Sequence, residues 1–106
     1  MLKIVFLVHR RPEMEPQNFR RYWKDTHAPI AARLPGLRKY VQNHSAAAPD
    51  GTPPTYDGFA EMWRDDAQAM EQSLASPEGQ AALADAGKFI DLERMETFSV
   101  NQETVV

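Results

Sequence analysis

His27 is the residue of this chain best suited to moving a proton. An imidazole has an ordinary pKa near 6.5, so it can take or give a proton around neutral pH. It stands in the run Phe19-Arg-Arg-Tyr22-Trp23-Lys-Asp-Thr-His27-Ala-Pro29. Tyr40 follows it, after Leu34-Pro35-Gly36-Leu37. A phenol facing a cavity can donate to a carbonyl or enolate oxygen. His44 alternates onto the same strand face as Tyr40 and is a further candidate contact. Glu61, between Phe59 and Trp63, is the candidate carboxylate. On an aromatic face its pKa is expected to rise by desolvation, unless a cation such as Arg38 pairs with it. Trp23, Phe59 and Trp63 are candidate platforms for a flat ligand.

Each of these residues has a plainer structural reading. His27 can cap a helix end or satisfy the Asp25 carbonyl that Pro29 leaves without a donor. Tyr40 can be an aromatic interface residue, and His44 can sit in water at a strand end. Glu61 can belong to a structural ion pair. The three aromatics can simply be core.

Other chemistries are disfavoured. Cysteine is absent, which excludes thiolate zinc sites and a cysteine nucleophile. His9, His27 and His44 lie on three different segments without HxH or HxxxH spacing, so no metal is expected. No glycine-rich phosphate loop is present, so no nucleotide cofactor is expected either. With 12 basic and 15 acidic residues the net charge is −3, which argues against a nucleic-acid or anionic-membrane surface. The longest apolar run, Ile4–Val8, is too short to span a bilayer. A cytoplasmic protein is the expectation.

The positioning elements follow from periodicity. Leu2–His9 reads as a strand, apolar without alternation, as when both faces are covered. Pro16 suits the first position of a helix, with Glu15 a mediocre cap. Phe19, Tyr22, Trp23, Ile30 and Leu34 then share one helical face, with His27 on its border. Pro29 is expected to kink or end that helix near His27, and Ala28 is biased away from helix. Leu37–Ser45 reads as a second strand, with Arg38, Tyr40, Gln42 and His44 on one face. Residues 46–56 are a loop. Asp57–Arg64 is a third strand, placing Phe59, Glu61 and Trp63 on one face and Gly58, Ala60 and Met62 on the other. Asp65 and Asp66 suit a helix start, Ser76-Pro77-Glu78 restarts it, and Gly87 ends it. Leu92–Val100 is the fourth strand.

The order β-α-β, loop, β-α-β predicts a single domain over residues 1–106. The fold class is α+β, a ferredoxin-like sandwich with a four-stranded antiparallel sheet and helices on one face. The other sheet face, expected to carry Tyr40, Phe59, Trp63 or their alternates, is too apolar to leave wet. Self-association through it, giving a barrel-like homodimer, is the economical solution. A sizeable cavity is easier to build between two copies than inside one core of this size.

These residues resemble the EthD family, named after an ether-degradation gene cluster and a branch of the dimeric α+β barrel superfamily. The similarity rests on several runs. They are His9-Arg10-Arg11-Pro12, Phe19-x-x-Tyr22-Trp23-x-x-x-His27-Ala28-Pro29, Leu34-Pro35-Gly36-Leu37-x-x-Tyr40, Tyr56-Asp57-Gly58-Phe59-Ala60-Glu61-Met62-Trp63 and Asp85-x-x-x-Phe89-Ile90-Asp91. The resemblance implies a dimeric α+β barrel. It also implies chemistry like that of relatives acting as lactone isomerases, dehydratases or cyclases on small rings and polyketides. With the residues, it suggests a cofactor-free enzyme in which His27 moves a proton and Tyr40 stabilises the oxygen charge of a small-molecule substrate. The substrate would contact Trp23, His44, Phe59, Glu61 and Trp63. The alternatives are an oxidative, monooxygenase-like role in degradation, cofactor-free or with haem on His27, and a non-enzymatic ligand-binding accessory protein.

Overall fold

The computed structural model describes residues 1–106. Four strands, β1 (Leu2–Val8), β2 (Lys39–His44), β3 (Gly58–Arg64) and β4 (Glu96–Val100), form one sheet in the order β2-β3-β1-β4. Every pairing is antiparallel. The chain is α+β with ferredoxin-like connectivity. β1 lies between two partners, and its Ile4, Val5 and Val8 are buried, which accounts for its unalternated apolar run.

The first helix, α1, runs through residues 16–31 without stopping at Pro29. It starts as an α-turn at Pro16–Arg21, widens to π geometry over Tyr22–His27, and closes as an α-turn at Ala28–Ala31. The Ala28 N–H reaches back five residues to the Trp23 carbonyl. Of the expected kink or end near His27, the end does not occur; the helix instead leaves α geometry for the π turn that closes at His27, and Ala28, expected to be biased away from helix, is helical with φ −55° and ψ −45°. The wide turn answers two demands at once. A regular α-helix would press the Pro29 ring against the Asp25 carbonyl. It would also let residues four apart drift about 40° per step. A π turn holds more residues and cancels that drift, so Phe19, Trp23, His27 and Ala31 all stay buried on one face. His27 therefore belongs to the stripe, not to its border.

Gly36, with φ +72°, makes the turn that sends the chain from α1 into β2. The helices α2 (Ala67–Ala75) and α3 (Pro77–Ala86) start on side-chain caps. Asp66 Oδ1 accepts from the Ala69 N–H at 2.8 Å, and Ser76 Oγ accepts from the Gly79 N–H at 3.0 Å. The segment expected to open the fourth strand instead forms a 3-10 turn at Leu92–Arg94, because pairing with β1 begins only at Glu96 opposite Leu7.

The apolar interior has two clusters under the helices. One holds Val8, Phe19, Trp23, Ala60, Phe89 and Ile90; the other holds Ala31, Leu34, Met62 and Ala82. Phe6 and Tyr40 pack against both. Tyr40 sits opposite Met62 in the β2–β3 register and so faces the helices. Its expected place on the open sheet face is corrected; of the residues expected there, the sheet's pleat keeps Phe59 and Trp63 on that face, with Glu61 between them.

Candidate functional site

Between the helix layer and the sheet lies a cavity of about 120 Å³. Eighteen residues line it, fifteen of them hydrophobic. It is formed within one chain, whereas a sizeable cavity is expected to be easier to build between two copies. The gap persists because small residues (Ala31, Ala60, Ala82, Ala86 and Gly79) occupy the facing positions of α1, β3 and α3. The exposed side chains of Leu74, Leu83 and Leu92 rim its mouth. Among its lining side chains, His27, Tyr40 and Arg64 carry ionisable groups.

His27 is 7% exposed, and its Nδ1 lies 2.8 Å from Asp85 Oδ2. Tyr22 Oη donates to the other oxygen, Asp85 Oδ1, at 2.7 Å. Phe89 packs its ring against both Tyr22 and His27, with centroids 4.9 Å apart in each case. Burial pushes the Asp85 carboxyl up, but hydrogen bonds from Tyr22 and His27, with Lys88 nearby, more than offset it. The net result is a pKa below the ordinary carboxylate value. Tyr22 is pushed up to about 12, first by its bond to that carboxylate and then by burial. At neutral pH Asp85 is thus an ionised acceptor, and the His27 nitrogen facing it must carry a proton. In the neutral imidazole this leaves Nε2 as the basic atom.

Tyr40 is held by the amide of Gln42, which donates to its Oη at 2.8 Å. The same amide donates to the Trp23 carbonyl at 2.9 Å, tying β2 to the π turn. Burial raises the Tyr40 pKa against the opposing effect of Gln42 and Trp23, so it remains a phenol. With Oη already accepting, its proton is available to a ligand oxygen.

The other candidates are distributed differently. Trp23 lines the cavity with His27 and Tyr40. His44 does not; its ring lies on Trp23 at 4.4 Å and its Nε2 is 2.9 Å from Gln42 Oε1. Burial, with Arg20 and Lys24 adding repulsion, lowers the His44 pKa. Phe59, Glu61 and Trp63 are on the far side of the sheet, away from the cavity. Glu61 forms an ion pair with Lys3 and accepts from Asn43 Nδ2 at 2.8 Å. Its pKa falls, chiefly through Lys3, where desolvation alone would raise it. Arg38 is not its partner; Arg38 pairs with Asp65. Trp63 is flanked by the ammonium groups of Lys3 and Lys39, 4.8 and 4.9 Å from its ring.

Asp85 and Arg64 were not among the sequence candidates. Both have a visible signal. Asp85 falls in the helical stripe Ala82, Asp85, Phe89, where a carboxylate in a core position needs partners. Arg64 continues the inward alternation Gly58, Ala60, Met62. No group of three or more His, Cys, Asp or Glu side chains converges as a metal site requires. No helix is long and apolar enough to cross a membrane.

A model of the EthD domain matches residues 11–93. An 11.0 kDa protein of Rhodococcus erythropolis, from the thcB–thcC intergenic region, is 28% identical over 85 residues, 80% of this chain and 81% of that protein. An EthD-family protein of Bacillus halodurans superposes with a TM-score of 0.79 at 26% identity, over 97% of this chain and 100% of the other. A dimeric protein of Bacteroides fragilis with a ferredoxin-like fold gives 0.70 at 13% identity, over 95% of each chain. A point mutant of SnoaB, a cofactor-independent oxygenase of Streptomyces nogalater, gives 0.68 at 16% identity, over 99% of this chain and 95% of the other.

Proposed function

The chain belongs to the EthD family, and from that premise we propose that it is a cytoplasmic, homodimeric enzyme catalysing cofactor-free proton transfer on a small, largely apolar, oxygenated ring compound. The observation that carries this reading is the buried contact of His27 Nδ1 with Asp85 at 2.8 Å in the wall of an apolar cavity. A carboxylate that fixes the proton on Nδ1 aims a basic Nε2 away from itself and stabilises the imidazolium that forms. Nε2 takes a proton from a carbon beside the ligand's carbonyl. The Tyr40 phenol donates to the enolate oxygen as charge develops. His27 then returns the proton to another carbon, an isomerisation, or to a departing hydroxyl, a dehydration. An apolar wall strengthens both interactions by excluding water.

The size of the cavity supports a single-ring substrate. An apolar cavity of roughly 150 Å³ takes up benzene; a porphyrin is far larger than this one. The Streptomyces neighbour motivates a second reading. In it, the carbanion left by the same proton removal reacts with dioxygen.

The homodimer is supported by the outer sheet face, where Phe59 is 38% and Phe98 48% exposed, and by the dimeric Bacteroides neighbour. Light scattering at micromolar concentration is expected to give twice the 12.0 kDa chain mass; a monomer refutes the dimer.

The test of catalysis is proton–deuterium exchange and isomerisation of a panel of small lactones and enones in D₂O, followed by NMR. The protein accelerates at least one, and His27→Ala lowers that rate by about 10²–10⁴-fold. Oxygen uptake with the same panel identifies the second reading. No acceleration by wild type, or full activity in His27→Ala, refutes the assignment of His27 as the base.

A further inference from the structure

We propose that the ligand of this cavity is an anion, a small ring compound carrying one carboxylate that is held by Arg64. The proposal deepens the preceding one and rests on its premise that the cavity is a binding site.

Arg64 ends β3 and is 1% exposed. None of the chain's ion pairs includes it. Its Nε has no hydrogen-bond partner, and its Nη2 has only the Met62 thioether, at 3.9 Å. Nε and Nη2 form one edge of the guanidinium, the fork that binds a carboxylate through two parallel hydrogen bonds. Burial lowers the Arg64 pKa, the direction expected of a cation without a counter-ion. An arginine nevertheless does not surrender its proton in a protein.

The acidic groups that could neutralise it are committed elsewhere. Asp65 pairs with Arg38, Asp66 caps α2, and Asp85 holds His27 and Tyr22. A second copy of the chain docking on the outer sheet face cannot supply the charge, because Arg64 points under the helices with Ala60 and Met62. Arg64 is one of the residues lining the cavity. Along β3 it stands one side-chain repeat, about 7 Å, beyond Met62, which is opposite Tyr40. A carboxylate on Arg64 therefore lays the attached ring along Met62 toward Tyr40 and His27. The charge fixes which ring carbon meets Nε2.

Benzoate and its neutral counterpart benzamide test this, titrated into the full chain and followed by NMR, including the Arg64 Nε–H resonance. Wild type is expected to bind benzoate at least 10-fold more tightly than benzamide, with Arg64 Nε–H shifting in step. Arg64→Met is expected to lose that preference and, without ligand, to melt higher than wild type, because an apolar side chain of similar length suits the site. Arg64→Lys keeps part of the preference. Equal affinity for the two probes overturns the anion proposal while leaving the cavity a binding site. A preference that survives in Arg64→Met, or maps to the surface cations Arg20, Arg21 and Lys24, also overturns it. Binding of neither probe overturns the anion proposal and leaves the catalytic reading to the exchange assay. Benzoate held by Arg64 in a protein that exchanges no deuterium supports the anion site and refutes only the catalytic reading.

Discussion

Replacing Asp85 with asparagine keeps the side-chain volume and removes the charge. Two buried or half-buried donors face that carboxylate, His27 Nδ1 at 2.8 Å and Tyr22 Oη at 2.7 Å. Hydrogen bonds to charged groups contribute about 1.5–3 kcal/mol and neutral ones about 0.5–1.5, so each bond weakens by roughly 1 kcal/mol. Relief of the carboxylate's desolvation works the other way. The depressed Asp85 pKa decides the sign: folding favours the ionised form, so neutralising it destabilises. The net loss should lie between about 1 and 2 kcal/mol, a fall in Tm of about 4–16 °C at roughly 4–8 °C per kcal/mol.

The gap also has a pH signature. A carboxylate with a lowered folded-state pKa stabilises fully above its unfolded value. That contribution is lost as pH falls through the lower, folded one. Urea unfolding of both proteins should show the difference at pH 7 and a shrinking difference below pH 3.8, the carboxylate's ordinary value. An asparagine variant as stable as wild type at pH 7, or a gap that ignores acid, refutes the reasoning.

Tyr22 gives the mirror case. Its folded pKa of about 12 lies above the ordinary 10.0, so its contribution is complete below pH 10.0 and is lost as pH rises through about 12. Absorbance titration at tyrosinate wavelengths should show a late component that disappears in Tyr22→Phe. Gly58→Ala should destabilise by about 1–3 kcal/mol, the usual cost of overpacking. Its new methyl meets the Asn43 carbonyl and, at 2.7 Å, the Trp23 ring. Thermal melting and a shift in tryptophan emission check it; an unchanged melt refutes the close approach.

Local chemistry was legible in the sequence, because its causes lie within a few residues of one another. The caps of Asp66 and Ser76, the Pro16 start, the Pro35-Gly36 turn and the two-residue alternation of β3 all depend on neighbours along the chain. The β-α-β pattern followed from them, and so did the singling out of His27. Tertiary packing decided the rest. Pro29 alone predicts a helix kinked or ended near His27. Only the demand that Phe19, Trp23, His27 and Ala31 face one core selects a π turn instead. His27 and Asp85 are 58 positions apart and meet because α3 crosses α1. Alternation told that Tyr40 and Glu61 each face one side of the sheet, but not which side the helices cover. Arg64 lay on the inward alternation of its strand, yet its lack of a counter-ion depended on where Asp65, Asp66 and Asp85 found their partners. Periodicity assigns a residue to a face; what stands opposite that face is set by contacts between segments distant in the chain.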